Sequence, residues 1–179
     1  MDGPGGLRHR TALGIAVAGV LLLLASFLPW FEHVYALGDA DGVRTERTSA
    51  GAWGSSVVWS LAVLCGVAAG GWAALLARGR SRSRYVDLGL LLLSAAGLAL
   101  CLGEVAHVVW VSIWPGEQVI VVSLNPPPPE VQRGQLYLHH GSGERSWFSW
   151  GLLAGLALLG GQVLLAARSL LAGRAARTR

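Results

Sequence analysis

The stretch from Trp147 to Arg168 sets the strongest limit on what this chain can become. It opens on two tryptophans, runs through Leu, Ala, Val and Gly with Gln162 as its one strongly polar interior residue, and closes on an arginine. At 1.5 Å per helical residue such a run reaches across a hydrocarbon core of roughly 30 Å. Three other stretches are built alike, so the sequence predicts an all-α membrane protein: a left-handed four-helix transmembrane bundle. The chain is 53% hydrophobic and 13% charged, against about 25% charged in soluble domains.

The expected spans are about 12–31, 55–77, 86–112 and 147–170, within a membrane domain of residues 12–172. Residues 1–11 form an N-terminal segment and 173–179 a tail, and the outer loops are 32–54 and 113–146. A cleaved signal peptide is the competing reading of the first run. A signal core of about 7–15 residues ends at a small-x-small site, whereas this run is longer and ends Phe27-Leu28-Pro29-Trp30.

Arginine fixes the orientation. The chain has no lysine, and 10 of its 14 arginines lie in the N-terminal segment, the 78–84 linker and the tail from Arg168. That excess marks the cytoplasmic side, so both termini are expected inside and both long loops outside, in a bacterial plasma membrane. An Arg-only, Ala/Gly/Leu-rich composition agrees with a GC-rich bacterial genome. Because the arginines flank apolar spans, the basic balance speaks for a lipid bilayer as partner and against nucleic acid. Anionic headgroups could meet the same arginines, which otherwise act only on topology.

Both outer loops carry β-prone runs, at 33–37, 43–48, 118–124 and 135–140. The first two flank Gly38-Asp39-Ala40-Asp41-Gly42, a hairpin signal. Pro126–Pro129 breaks the second loop. Over 50 residues of loop are long for structureless connections, so a small extracytoplasmic β cap, mainly antiparallel and drawn from both loops, is expected over the helix ends.

Polar residues inside spans are functional suspects. Glu104 and His107 share one face of span three, about 27 Å above Val86 and so near its outer boundary. Glu32, His33, His139 and His140 are conceivable outer-side partners. A salt bridge or hydrogen-bond network, a metal site, and proton or ligand coupling all remain open for this group; no metal or other cofactor is implied by spacing. Trp30, Trp53, Trp59, Trp110, Trp114, Trp147 and Trp150 fall near outer span ends, as an interface belt does, with aromatic-ligand stacking the alternative. The Gly66/Gly70 and Gly151/Gly155 spacings allow close helix packing, within the chain or between two copies.

No motif of catalytic specificity is present. No serine sits in a nucleophile elbow, no glycine loop has the lysine and strand–helix setting of a phosphate loop, and His107 is the one histidine within a span. Cys65 and Cys101 lie inside spans and outside any C-x-x-C, which argues against a disulfide framework or a redox enzyme. Two functions stay in view: a non-enzymatic accessory or interaction protein, with a membrane protein or a second copy as partner, and a small transporter or ion-binding protein using Glu104 and His107.

Spans two and four also align at an offset: Gly70-Gly71 through Arg78 against Gly160-Gly161 through Arg168, by duplication or convergence. With Ala25-Ser26-Phe27-Leu28-Pro29-Trp30, Ser49-Ala50-Gly51-Ala52-Trp53 and Trp72-Ala73-Ala74-Leu75-Leu76-Ala77-Arg78-Gly79, the layout resembles small four-span proteins of high-GC Gram-positive bacteria. Among these is the tryptophan-biosynthesis-associated membrane protein family. That resemblance implies a four-span layout and no particular activity. The Trp30 and Gly51-Ala52-Trp53 pattern also resembles the first extracellular segment of claudin-type proteins, without their loop cysteines, and implies strands capping a helical bundle.

Overall fold

The computed structural model describes residues 4–39, 42–78, 84–113, 135–136 and 145–175. Four long helices dominate: α1 (Pro4–Ala25), α3 (Val57–Arg78), α4 (Arg84–Ile113) and α5 (Trp150–Ala175), with a single turn, α2 (Ala52–Ser55), leading into α3. Three of them are long and apolar enough to cross a membrane, at Val57–Arg78, Tyr85–Trp110 and Trp150–Ala172. The apolar part of α1 is shorter, His9–Ala25.

Span one was expected to run to residue 31, but α1 stops at Ala25. The cause is local. The Ser26 hydroxyl turns back to the Leu23 carbonyl at 2.6 Å, and Phe27 and Leu28 tighten to i−3 acceptors. Pro29 then has no N–H to offer. The Trp30 indole N–H adds a second bond to the Ala25 carbonyl at 2.9 Å, folding the chain under the helix end. Span four likewise begins later than residue 147. Residues 145–148 are strand, and the helix starts after Ser149.

Each long helix packs on two neighbours, α1 and α4 each against α3 and α5, while α3 and α5 also touch. One core lies towards the sheet, built on Leu22, Trp30, Trp59, Val63, Cys101, Leu152 and Leu159. The other lies towards the opposite end, built on Ile15, Ala69, Ala73, Leu90 and Ala166. The backbones of α1 and α3 approach closest at Gly19 and Gly70, where a Cβ on either residue would sit 2.8 Å from the other's Cα. Outward faces remain apolar: Val20, Leu24, Val57, Leu75, Leu92 and Leu164 are all exposed. Helices apolar all round suit a lipid solvent.

A four-stranded antiparallel sheet joins the two long connections. β1 (Phe31–Asp39) pairs with β2 (Gly42–Ala50) from Phe31↔Ala50 to Asp39↔Gly42. On its other edge β1 pairs with β4 (Arg145–Phe148) at Phe31–Val34 and with β3 (Gln135–Leu136) at Gly38–Asp39. The expected mixing of both loops in one sheet is therefore present, with longer first strands than the sequence suggested. The run 118–124 and the prolines 126–129 lie outside the described residues.

Candidate functional site

The polar chemistry near the sheet is built around two carboxylates, each held at a helix N-terminus. Ser56 precedes α3 and caps it, its hydroxyl accepting the Val58 N–H at 3.1 Å. The same hydroxyl donates to Glu104 Oε1 at 2.7 Å. Half-buried Glu104 thus faces the positive end of the α3 dipole, where a carboxylate is favoured. Its partner is Ser56 rather than His107. The His107 side chain is exposed and has no hydrogen bond or ion pair among the described residues.

The second carboxylate is Glu32, 7% exposed. It does not serve Glu104. Its Oε1 accepts the Ser149 hydroxyl at 2.9 Å, its Oε2 pairs with Arg47, and Ser149 immediately precedes α5. Register explains the ion pair: Glu32 faces Ser49 across the ladder, and Arg47 lies two residues along, on the same face of the sheet. Backbone bonds from Ser149 to Trp30 O at 3.0 Å and from Gly151 to Pro29 O at 2.9 Å extend the β1–β4 pairing into the first turn of α5. Sheet and helix are thereby locked together.

Beneath that joint lies an aromatic cluster. Phe31 and Phe148 are paired in register, and their rings stand 6.3 and 6.4 Å from Trp59, which is 6.0 Å from Trp30. Trp30 and Trp59 are buried, which corrects their expected place in an interface belt. The reason is the glycine pair. A Cβ at Gly151 would strike Pro29 O and Trp30, and one at Gly155 would lie 2.7 Å from the Trp30 ring. The spacing makes a slot for an indole of the same chain. The Trp59 N–H finds no partner in this cluster.

Trp53 is 41% exposed and donates to Ser26 Oγ at 2.8 Å. Trp110 and Trp150 face outward at 65% and 81% exposure. Trp147 lies in β4 opposite Glu32 rather than in span four, and His33 sits opposite Thr48 and Ser146. Trp114, His139 and His140 lie outside the described residues.

Gly66 and Gly70 serve contacts within the chain. A Cβ at Gly66 would meet Leu22, Leu159 and Gln162 side chains. Fully buried Gln162 donates to Gly66 O at 3.0 Å and Ile15 O at 3.2 Å, tying α5 to α3 and α1, while its own Oε1 has no partner. Ser94 Oγ is a further buried atom without one. At the arginine-rich end Ser169 donates to buried Asp87 at 3.4 Å. Cys65 and Cys101 are free thiols. Among the described residues no group of three or more His, Cys, Asp or Glu side chains could hold a metal ion.

Sequence reading missed Ser56, Ser149 and Arg47. The first two carried a signal, a serine directly before an apolar helical run, which marks an N-cap. Comparison with family models, with characterised proteins and with solved structures finds no match for this chain.

Proposed function

We propose that this chain is a four-span integral membrane protein, with its arginine-rich ends inside and its sheet outside the plasma membrane of a bacterium. In this reading it works as a non-enzymatic accessory or interaction protein through the sheet. The observation that carries the second part is the fate of the two polar suspects. Glu32 and Glu104 are each engaged by a serine at a helix N-terminus, while the helix interior beneath them is filled by Trp30, Trp59, Leu152 and Leu159. Among the recesses between the described helices, one of about 400 Å3 is lined by apolar residues of α1 and α3. Another, of about 490 Å3, lies at the arginine-rich end. Neither of these is lined by Glu104 or His107, and the sheet is the surface that this reading assigns to a partner.

Four spans require α1 to cross. Its apolar part of 17 residues covers about 25 Å, and a small shortfall is met by local bilayer thinning. In a variant lacking Cys65 and Cys101, single cysteines at Asp41 and Gln132 should label with an impermeant maleimide in intact cells. One at Ser81 should not, and labelling there alone inverts the topology. Reconstituted in liposomes, the protein should pass no protons or cations beyond empty vesicles. A flux that Glu104→Gln removes would overturn the accessory reading in favour of transport.

A further inference from the structure

The recess at the arginine-rich end has a composition that the packing of α1 on α5 does not need. Its volume is about 490 Å3 and its lining is Arg10, Thr11, Leu165 and Arg168. Two exposed guanidinium groups come to it from helices running in opposite directions, with the nearly buried Thr11 hydroxyl beside them. Arg168 lies 18 residues beyond Trp150, about 27 Å along α5. If the outward-facing Trp150 marks one headgroup layer, Arg168 lies at the other.

The surroundings select the kind of ligand. Leu13 is one turn from Arg10 and Leu164 one turn from Arg168, both towards the bilayer centre, and they are 53% and 68% exposed. A cationic recess under an open apolar wall suits a molecule with an anionic head and hydrocarbon tails. A free inorganic anion would make no use of the wall. Asp87, on α4, is 2% exposed, receives the Ser169 hydroxyl and does not line the recess. Arg10, Thr11 and Asp87 each have further interactions within the chain. A guanidinium carries five N–H donors in a fork, so one side chain can serve an internal contact and a phosphate together.

We propose that the Arg10–Arg168 recess binds the phosphate headgroup of an anionic phospholipid, with the acyl chains lying along Leu13 and Leu164. The proposal rests on the four-span reading, which puts both arginines at headgroup depth. Forked guanidinium contacts hold the phosphate oxygens, and two cationic side chains favour a headgroup of net negative charge over a zwitterionic one, whose ammonium they repel.

The test uses the full chain purified in detergent, titrated with phosphatidylglycerol or with phosphatidylcholine of the same chains. Thermal unfolding and native mass spectrometry read binding. Phosphatidylglycerol should raise the unfolding midpoint and stay bound, and phosphatidylcholine should do neither. The Arg10→Gln/Arg168→Gln pair should weaken phosphatidylglycerol binding about tenfold. Arg10→Lys/Arg168→Lys keeps both charges, and with them insertion, but loses the fork; it should weaken binding about threefold. Arg78→Gln removes one charge outside the recess and should leave binding within about twofold.

A Gln pair that binds as the unaltered protein does, an Arg78→Gln variant as weak as that pair, or a Lys pair of full affinity would overturn the proposal. So would equal protection by excess inorganic phosphate, which would make this a free-anion site. Micelle binding does not depend on which end faces the cytoplasm. A failed lipid site thus leaves maleimide labelling at Asp41, Gln132 and Ser81 as expected, whereas a failed topology changes it.

Discussion

Glu32 and Glu104 are one chemical device used twice, and the two uses differ in what surrounds them. Each carboxylate accepts the hydroxyl of a serine directly preceding a long helix, Ser149 before α5 and Ser56 before α3. Around Glu32 everything else is committed: an ion pair to Arg47, a backbone ladder running into α5, and the Trp30–Trp59–Phe31–Phe148 rings below. Around Glu104 little is committed. The carboxylate is half-buried, His107 is exposed, and Gly103 has open space beside it. A helix-end carboxylate contributes to the dipole and the cap in both places. Only where a sheet closes over it does it become part of a rigid joint.

The largest expected effect probes the floor of that joint. Trp30→Ala would empty the slot that Gly151 and Gly155 provide and leave the Ala25 carbonyl with the Leu28 N–H alone. Deleting a buried indole costs about 3–5 kcal/mol. Trp150→Ala, at a residue 81% exposed, should cost about 1 kcal/mol or less. Thermal or denaturant unfolding in detergent compares them, and equal losses would remove the contrast between a buried and an exposed tryptophan.

Next come the glycines flanking each carboxylate. Gly151→Ala puts a methyl against Pro29 O, a backbone atom that cannot rotate away, and against Trp30 Cδ1 at 2.6 Å. Overpacking of this kind costs about 1–3 kcal/mol. Gly103→Ala meets nothing within 4 Å and raises helix propensity, so it should be neutral or stabilise by up to about 1 kcal/mol. The same unfolding measurement gives both signs, and two losses of equal size would show the Glu104 end to be as tightly packed as the other.

Replacing each carboxylate sharpens the comparison. Glu32→Leu strands the Ser149 hydroxyl at a buried position and removes the ion pair to Arg47, for about 2–3 kcal/mol. Glu104→Leu strands only the Ser56 hydroxyl, which still caps Val58, for about 1–2 kcal/mol. A Glu104→Leu protein less stable than Glu32→Leu would reverse the order of commitment drawn from burial.

The helices and their rough limits were legible because length and apolarity act residue by residue: three of the four long runs appear within a few residues of expectation. The sheet was legible as β-prone runs on both loops, though not its register. What escaped depends on contacts far apart in sequence. Trp30 reads like any span-end tryptophan until Gly151 and Gly155 are seen to clear its slot, some 120 residues on. Span one seemed to continue through Ser26–Trp30 because those residues are mostly apolar, yet their hydrogen bonds turn the chain. The offset alignment of spans two and four also misleads at its strongest match. Gly70 lies against Gly19, whereas Gly160, its counterpart, has nothing within 4 Å, and the serine that plays the part of Ser56 is Ser149, three residues past the position that the same offset gives.

The smallest expected effect is the most informative about chemistry. Glu104→Gln keeps an amide oxygen where the carboxylate accepted from Ser56, so the hydrogen bond survives and only the charge at the α3 N-terminus is lost. The dipole contribution of such a charge is about 0.3–1 kcal/mol, and the change in stability should stay within that range. His107→Ala should fall below about 0.5 kcal/mol, because its ring is exposed and makes no described hydrogen bond. The double variant should then equal the sum of the two single ones, since residues without a shared interaction add. A coupling larger than about 0.5 kcal/mol between Glu104 and His107 in that cycle would reveal an interaction absent from this structure. It would move the pair from a helix cap towards a working site, and make the open end, rather than the sheet-locked one, the place to look for a ligand.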